Sequence, residues 1–360
     1  MTPIVPPAAP VPGAAERTRR RRPTMNDVAQ LAGVGLKTVS RVVNGEVGVT
    51  PEMVIRVRHA IATLGYRPDV GASALRRSDG RSGAIGIALE DVANPFSSAV
   101  LRGVEDAARR NGVLVLASSI DSDPGLEREV LIAFVDRRVD GIILMPSTGD
   151  LSYLPDEIDP VTPVVAIDRR PRGVDLDLVL TTNALGAQQA VEHLLGHGHR
   201  RIAFLGDTVG LSTAGERHGG FVTAMATAGV AIDERMVRRN ISGEGQAEAT
   251  VLSLLSVVPG QRPTAVFAAQ NLLTGGAVRA LQRLRLHEKV AVVGFDDFPL
   301  ADLLVPGVTV VAQDPPAMGH EAARLLFDRL DGDDTPAQTV LVPTRLIRRG
   351  SGEIRPVDPA

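Results

Sequence analysis

Short apolar runs that alternate with segments of helical periodicity fill the chain from residue 84 onward. These runs have strand length and lie at 84–89, 113–118, 140–146 and 163–169, and again at 201–206, 264–269 and 290–297. Such alternation predicts parallel sheets that are covered by helices on both faces. Because the pattern restarts near residue 184, we expect two doubly wound subdomains, with the segments 308–313 and 339–347 crossing between them.

Polar side chains follow several of these runs at the point where each strand ends. They are Asp91 and Asn94 after the first run, Asp168 and Arg169 after the fourth, and Gln270, Asn271, Asp296 and Asp297 in the second subdomain. Ligands of open α/β sheets bind at the carboxyl ends of the strands. We therefore expect these side chains, with the ring of Phe96, to form a cleft that suits a polyhydroxylated ligand.

Residues 24–45 have the pattern of two short helices around a tight turn. Thr24 and Asp27 are spaced as a capping box, and Gly33 suits a left-handed turn. The predicted apolar face of the first helix consists of Val28, Leu31 and Ala32. In the second helix, Val39, Val42 and Val43 face inward, whereas the outward positions are Lys37, Thr38, Ser40, Arg41 and Asn44. This layout is typical of a helix-turn-helix, whose second helix lies in the DNA major groove.

The charge distribution supports a head that binds a polyanion. The first 80 residues contain 12 Lys and Arg against 6 Asp and Glu, whereas the rest of the chain contains 27 against 36. Four consecutive arginines, 19–22, end a Pro/Ala-rich stretch that we expect to be disordered. This run is either a solvated tail or an additional contact to DNA phosphates.

Several classes of site and location are disfavoured by the composition. The chain has no cysteine, which excludes disulfides and thiol nucleophiles. No apolar run approaches the roughly 18 residues of a membrane helix, and the proline-rich start lacks the features of a signal peptide. We expect a cytoplasmic protein that has no membrane partner and needs no cofactor or metal.

Collinear motifs along residues 24–350 strongly resemble the LacI/GalR family of bacterial transcriptional regulators. The motifs are TMNDVAQLAGV, KTVSRVVNG, GYRPD, IGIALEDVANPF, VDGIILMP, VVAIDRR, GHGHRRIAFLG and VVGFDDFPLAD. The resemblance implies a homodimeric repressor that binds double-stranded operator DNA and responds to a small, sugar-like effector. The implied fold is an all-α helix-turn-helix head joined to a periplasmic-binding-protein-like sensor, which has two doubly wound parallel-sheet subdomains.

The resemblance also assigns roles to individual residues. Base contacts are implied for Leu36, Lys37 and Arg41, and phosphate contacts or anchoring of the turn for Thr24, Thr38, Ser40 and Asn44. A hinge helix at 70–76 is implied to insert Leu75 into the minor groove, with Ala72 as the small residue before it. The implied effector pocket consists of Asp91, Asn94, Phe96, Asp168, Arg217, Gln270 and Asp296.

Three glycine or amide positions depart from the family pattern. Gly35 stands where the family usually has a serine that caps the second helix, so a side-chain phosphate contact is lost. Gly71 weakens the hinge helix by about 1 kcal/mol relative to alanine. Gln270 stands where asparagine is more common, which predicts a pocket of different size.

The domain boundaries follow from these patterns. We predict a disordered tail at 1–23, a helix-turn-helix domain at 24–68, a hinge and linker at 69–82, an effector-binding domain at 83–350 and a tail at 351–360. Within the effector domain, we assign 83–180 and 312–335 to the first subdomain. The second subdomain is assigned 181–311 and 336–350.

Other functions fit the residues less well. A carbohydrate-active enzyme would use Asp168 and Asp296 as paired carboxylates, but no nucleophile elbow or phosphate-binding loop is present. His193 and His197 have the i, i+4 spacing of a zinc site, although we interpret this histidine-rich stretch as a helix end. A periplasmic sugar-binding protein shares the cleft but not the helix-turn-helix.

Overall fold

The computed structural model describes residues 23–66, 81–147 and 149–357. The chain divides into two compact units, Met1–Gly80 and Arg81–Ala360. The first unit is helical where it is described, and the second contains two six-stranded sheets. Ala72, Leu75 and Gly71 of the predicted hinge, and the predicted arginine run at 19–22, lie outside the described residues. The roles and boundaries assigned to these segments stay predictions.

Three helices form the described part of the first unit. They are α1 (Met25–Ala32), α2 (Leu36–Val43) and α3 (Pro51–Leu64). The predicted capping box is present, because the Thr24 hydroxyl accepts a hydrogen bond from Asp27 N and the Asp27 carboxylate accepts one from Thr24 N. Gly33 and Gly65 end α1 and α3 with φ of 61° and 62°, which glycine adopts at the least steric cost.

The core of this unit differs from the predicted face of α1 at one position. The buried residues are Val28, Ala29, Ala32, Val39, Val57, Ala60 and Tyr66. Leu31, which was assigned to the apolar face, is 52% exposed, so that prediction is wrong. The reason is that α1 packs against both α2 and α3 through the side that carries Val28, Ala29 and Ala32.

The second unit consists of two lobes, and the first lobe comprises residues 81–181 and 314–342. Its elements are β1 (Ala84–Leu89), α4 (Pro95–Arg110), β2 (Leu114–Ser119), α5 (Pro124–Asp136), β3 (Ile142–Leu144), α6 (Leu154–Glu157), β4 (Val164–Ile167), β5 (Asp177–Thr181), α11 (Pro315–Leu330) and β11 (Thr339–Val342). The strands pair in parallel in the order β11-β5-β4-β3-β1-β2. Helices α4 and α11 cover one face of the sheet, and α5 and α6 cover the other.

The second lobe comprises residues 183–312 and 345–357 and repeats this architecture. Its elements are α7 (Asn183–Gly196), β6 (Ile202–Leu205), α8 (Ser212–Thr227), β7 (Val237–Arg238), α9 (Gly243–Leu255), β8 (Ala265–Ala268), α10 (Asn271–Leu284), β9 (Ala291–Phe295), β10 (Thr309–Ala312) and β12 (Arg345–Ile347). Short 3₁₀ turns lie at Glu234–Met236 and Pro259–Gln261. The strand order is β12-β10-β9-β8-β6-β7, and β12 is antiparallel to β10 whereas the other pairs are parallel. The predicted pair of doubly wound subdomains is confirmed, with this one antiparallel edge.

The last crossing between the lobes lies later in the chain than the assigned boundary of 336. Strand β11 pairs with β5 of the first lobe, whereas β12 pairs with β10 of the second. The run that was assigned as one segment at 339–347 is therefore divided at Pro343. Proline has no backbone N–H for a sheet ladder, so pairing stops there and the chain changes sheets.

The end of the chain packs on the second lobe as far as it is described, instead of forming the predicted tail from residue 351. The Ser351 hydroxyl donates a hydrogen bond of 2.6 Å to Val292 O, and a ring nitrogen of buried His199 lies 2.7 Å from Ile354 O. His193 Nε2 lies 2.8 Å from a carboxylate oxygen of Glu353. His193 and His199 belong to the histidine-rich stretch that was interpreted as a helix end, and they also contact the segment that follows residue 350.

Candidate DNA-reading helix and ligand-binding cleft

Helix α2 presents a mixed polar and apolar surface around its buried residue Val39. Lys37 and Asn44 are exposed, and Leu36 is exposed to 48% despite its apolar side chain. Thr38, Ser40 and Arg41 are partly exposed. An exposed leucine beside hydrogen-bond donors matches the needs of major-groove reading, where thymine methyl groups and guanine acceptors lie side by side.

A carboxylate that the sequence analysis did not single out contacts this surface. Glu46 accepts a hydrogen bond of 3.4 Å from Arg41 Nε and one of 3.5 Å from Asn44 Nδ2. Asn44 Nδ2 also lies 3.4 Å from the Ser40 hydroxyl. Glu46 therefore helps to orient the two donors at the end of α2.

The beginning of α2 lacks the side-chain cap that α1 has. Gly35 occupies the N-cap position with φ −69° and ψ 151° and makes no side-chain hydrogen bond. The hydroxyl of Thr24, by contrast, is used within the capping box of α1. The sequence-based role of Thr24, a phosphate contact or anchoring of the turn, stays a prediction.

Two aspartates occupy equivalent positions in the two lobes and face the cleft between them. Asp168 directly follows β4, and Asp296 directly follows β9. Their φ angles are 66° and 68°, and each backbone N–H donates a hydrogen bond of 2.8 Å to the next strand, at Val179 O and Val311 O respectively. Both side chains are buried. The strained left-handed backbone at both strand ends thus turns a carboxylate into the same cavity from each lobe.

Arg217 of α8 lies at the centre of a buried network. Its Nε donates to Asn183 Oδ1 at 2.8 Å and its Nη1 to Ala269 O at 2.9 Å. Nη1 also lies 3.5 Å from the carboxylate of Asp296, and the guanidinium stacks 3.9 Å from the centre of the Phe295 ring. Arg217 therefore lies in the cleft as expected, and its Nε and Nη1 already donate to protein acceptors.

Burial dominates the titration of the two cleft aspartates. It raises the pKa of Asp168 to about 6, although Arg217 and Arg169 oppose this change. Burial also raises the pKa of Asp296, against the stabilising effect of Arg217 and Gln313 on its charged form. Without a further partner, the ionised form of each carboxylate is therefore destabilised by its burial.

Hydrogen bonds join the two lobes across the cleft. Asn271 Nδ2 donates to Asn94 Oδ1 at 2.9 Å, and Arg170 N donates to the Ser212 hydroxyl at 2.9 Å. The cavity around Asp168 and Arg217 has a volume of about 30 Å³, which is room for only a few water molecules. The lobes therefore lie close together in this structure.

The cavity contains six of the seven predicted pocket residues. They are Asn94, Phe96, Asp168, Arg217, Gln270 and Asp296. The seventh, Asp91, is exposed, and its carboxylate accepts a hydrogen bond from Ala93 N within its own turn. Its assignment to the pocket is wrong, because Glu90 takes the inward position after β1 and forms an ion pair with Arg169.

Arg169 and Asn271, which the sequence analysis expected in the cleft as strand-end residues, also line this cavity. The residues of the lining that it did not name are Glu90, Ser97, Met145, Asp207, Thr213 and Gln313. Glu90, Asp207 and Gln313 each come one or two residues after a strand. The strand-end signal that indicated Asp168 and Asp296 was therefore present for these three as well.

The described residues show no group of metal-ligating side chains and no helix that is long and apolar enough to cross a membrane.

A helical DNA-binding head followed by a two-lobed, ligand-binding architecture defines the class of ligand-responsive DNA-binding regulators. Residues 24–69 match the family model of bacterial regulatory proteins, lacI family, and residues 191–352 match the periplasmic binding protein-like domain. The HTH-type transcriptional regulator CelR of Thermobifida fusca is 36% identical over 347 residues, which cover 93% of this chain and 99% of CelR. The chain belongs to the lacI family, and it is a DNA-binding transcriptional regulator.

Solved structures agree with this assignment. The structure of a transcriptional regulator CelR–cellobiose complex is 34% identical, with a TM-score of 0.67, and the match covers 92% of this chain and 100% of that one. The lac repressor dimer bound to operator and the anti-inducer ONPF is 24% identical, with a TM-score of 0.80 and coverage of 92% and 99%. The second similarity concerns the fold alone. The relatives found are transcriptional regulators rather than enzymes.

Proposed function

We propose that this protein is a homodimeric, cytoplasmic repressor whose affinity for operator DNA changes when a small sugar-like molecule binds between the lobes. The observation that carries the proposal is a buried cleft with polar atoms that lack a partner. These atoms are Asp168 Oδ1, Arg169 Nε and Gln313 Oε1. Buried polar atoms without hydrogen bonds are costly, and a polar ligand that supplies the missing partners relieves that cost.

The ligand class is supported by the residues of the cavity and by a relative. Carboxylates, amides and an aromatic ring from Phe96 suit the hydroxyl groups and ring face of a sugar. CelR, whose structure contains cellobiose, has the same fold at 34% identity. Since little space remains in the cleft, a sugar enters when the Asn94–Asn271 and Arg170–Ser212 contacts part.

The DNA-binding residues in the proposal are those of α2 and its flanks. Leu36, Lys37 and Arg41 contact base edges, and Thr24, Thr38, Ser40 and Asn44 contact phosphates or hold the turn. Lysine and arginine donate to the O6 and N7 acceptors of guanine in the major groove. Ala72 and Leu75 of the predicted hinge complete the set through the minor groove.

Gel retardation with the DNA upstream of the protein's own coding sequence tests the DNA-binding half of this proposal. We expect retardation that weakens as the salt concentration rises, because phosphate contacts release counterions. Arg41→Ala should weaken specific binding by roughly 1–3 kcal/mol, the usual cost of losing a base-reading contact. Arg58→Ala, at an exposed position of α3, is the matched control and should have a smaller effect.

The ligand half is tested in the same gel with sugars added. A sugar that raises the melting temperature of the protein should also change the DNA concentration required for half retardation. If Arg41→Ala and Arg58→Ala weaken binding equally, the assignment of α2 as the reading helix is wrong. If a stabilising sugar leaves DNA affinity unchanged, the coupling between cleft and DNA is wrong.

A further inference from the structure

Two of the polar atoms without a partner in the cleft are hydrogen-bond acceptors. Asp168 Oδ1 and Gln313 Oε1 belong to side chains that are 7% and 9% exposed. The Gln313 amide nitrogen donates to Asp296 Oδ1 at 2.6 Å, which leaves the carbonyl oxygen as the unpartnered end. A ligand that satisfies both atoms must donate hydrogen bonds, as hydroxyl groups do and as carboxylate and phosphate oxygens do not.

Four of the six nitrogens in the two guanidinium groups that line the cleft already donate to protein acceptors. Arg217 donates to Asn183 and Ala269 and pairs with Asp296. Arg169 donates through Nη1 to Ser122 and Pro146 O and through Nη2 to Glu90.

The remaining Arg169 donor, Nε, lies 3.9 Å from the carboxylate of Asp168. Bidentate capture of an anion requires two parallel donors on one guanidinium. Arg217 has only Nη2 and Arg169 only Nε without a protein acceptor, so neither arginine of the cavity offers such a pair.

The charged residues that line the cavity leave an excess of negative charge. The carboxylates belong to Glu90, Asp168, Asp207 and Asp296, whereas the cations are Arg169 and Arg217. The close pairs Arg169–Glu90 and Arg217–Asp296 use both cations. Asp168, which is buried, and Asp207, which is half-buried, therefore repel an anionic ligand at short range, where water screens such repulsion only in part.

From these three observations, we infer that the cleft selects uncharged, hydroxyl-rich saccharides and rejects sugar acids and sugar phosphates. The inference rests on the proposed function and narrows the ligand class of the same cleft. Selectivity arises because a hydroxyl donates to Asp168 Oδ1 or Gln313 Oε1, whereas a carboxylate or phosphate in the same place has no proton to donate and adds repulsion.

Matched pairs of probes test this inference on the full chain. The probes are glucose with gluconate and glucose 6-phosphate, ribose with ribose 5-phosphate, and cellobiose with cellobionate. Thermal shifts at pH 7.5 over a range of concentrations give an apparent affinity for each probe. We expect at least one neutral member to bind, and its anionic counterparts to bind at least about tenfold more weakly.

Charge-neutralising variants link the selectivity to the cleft. Asp207→Asn and Asp168→Asn each remove one negative charge and retain a carbonyl acceptor. The expected result is that the preference for the neutral member falls at least about threefold in each variant. Asp91→Asn is the matched control, because Asp91 lies near the cleft in sequence but outside the cavity. This control should keep the wild-type preference.

An anionic probe that binds the wild type more tightly than its neutral partner would overturn the inference. So would a panel in which no neutral probe binds, or variants that leave the preference unchanged. None of these results would contradict the proposed function if the protein still retards its operator and an anionic ligand changes that retardation. A protein that fails to retard its upstream DNA would contradict the proposed function instead.

Discussion

The substitution Asp168→Asn is predicted to stabilise the protein at neutral and alkaline pH. Asp168 is 7% exposed, and one of its oxygens has no hydrogen-bond partner. Its backbone has φ 66°, a conformation that asparagine adopts as readily as aspartate. Since the two side chains have nearly the same shape, the main change is the removal of a buried charge.

The size of this effect follows from the pKa of the carboxyl group. Burial raises the pKa of Asp168 from 3.8 to about 6 in the folded protein, because the two nearby arginines offset the loss of hydration only in part. A difference of this size corresponds to about 3 kcal/mol. The folded state binds the proton more tightly than the unfolded state, so this contribution to stability is complete below about pH 4 and is lost as the pH rises through about 6.

Asparagine does not titrate, and the gain in the variant therefore grows with pH. We expect a gain of about 1 kcal/mol at pH 4.5 and about 3 kcal/mol at pH 8 relative to the wild type. Urea unfolding at the two pH values measures it, and thermal melts should differ by about 2–4 °C for each kcal/mol. A gain that does not depend on pH, or a loss of stability at pH 8, would refute the reasoning.

Asp297, in the second lobe, provides a control in which the pKa shift has the opposite sign. Burial alone would raise the pKa of Asp297, but two hydrogen bonds of 2.7 Å from Arg349 outweigh it and lower the pKa. Its contribution to stability is present at neutral pH and is lost as the pH falls through the lowered value. Asp297→Asn should therefore destabilise the protein at pH 8, and by less at low pH.

Two further substitutions, one of them with a control, test the packing and the closure of the lobes. Gly319→Ala places a Cβ 2.2 Å from Val100 O, where α11 and α4 meet, and should cost roughly 1–3 kcal/mol in urea unfolding. Gly219→Ala, at an open helical position, should instead be neutral or stabilising by up to about 1 kcal/mol; equal losses would contradict the close helix contact. Asn271→Ala removes the hydrogen bond to Asn94 across the cleft, which is worth about 1 kcal/mol. Amide hydrogen exchange in residues 90–98 should therefore become faster. Unchanged exchange would mean that this contact does not hold the lobes together.

The sequence predicted the helical head well, because capping residues, helix-ending glycines and apolar spacing each depend on only a few neighbouring residues. The Thr24–Asp27 box, the left-handed Gly33 and Gly65 and the buried Val39 are all as expected. Leu31 was misplaced because an eight-residue helix between two partners buries a face that is set by tertiary contacts. Periodicity alone does not reveal where those partners lie.

The cleft was predictable to the level of strand ends but not of individual side chains. Glu90 and Asp91 are adjacent carboxylates, and the end of β1 at Leu89 decides which of them points inward. The sequence does not fix that end to one residue. The protein partners of Arg217 were equally beyond sequence reasoning, because Asn183 and Ala269 are distant along the chain and meet Arg217 only in the folded lobe.

The interleaving of the lobes determines the order in which they can be completed during synthesis. The second lobe lacks only its edge strand β12 and the closing segment once residue 312 has left the ribosome. The first lobe is translated earlier, but one face of its sheet is not fully covered until α11 leaves the ribosome. Strand β11 can join this sheet only after residue 342 has been translated. Nascent chains generally fold from the N-terminus, but the first lobe can be completed only after nearly the whole chain has been translated. Until then, one apolar face of its sheet is partly exposed, and exposed apolar surface favours aggregation.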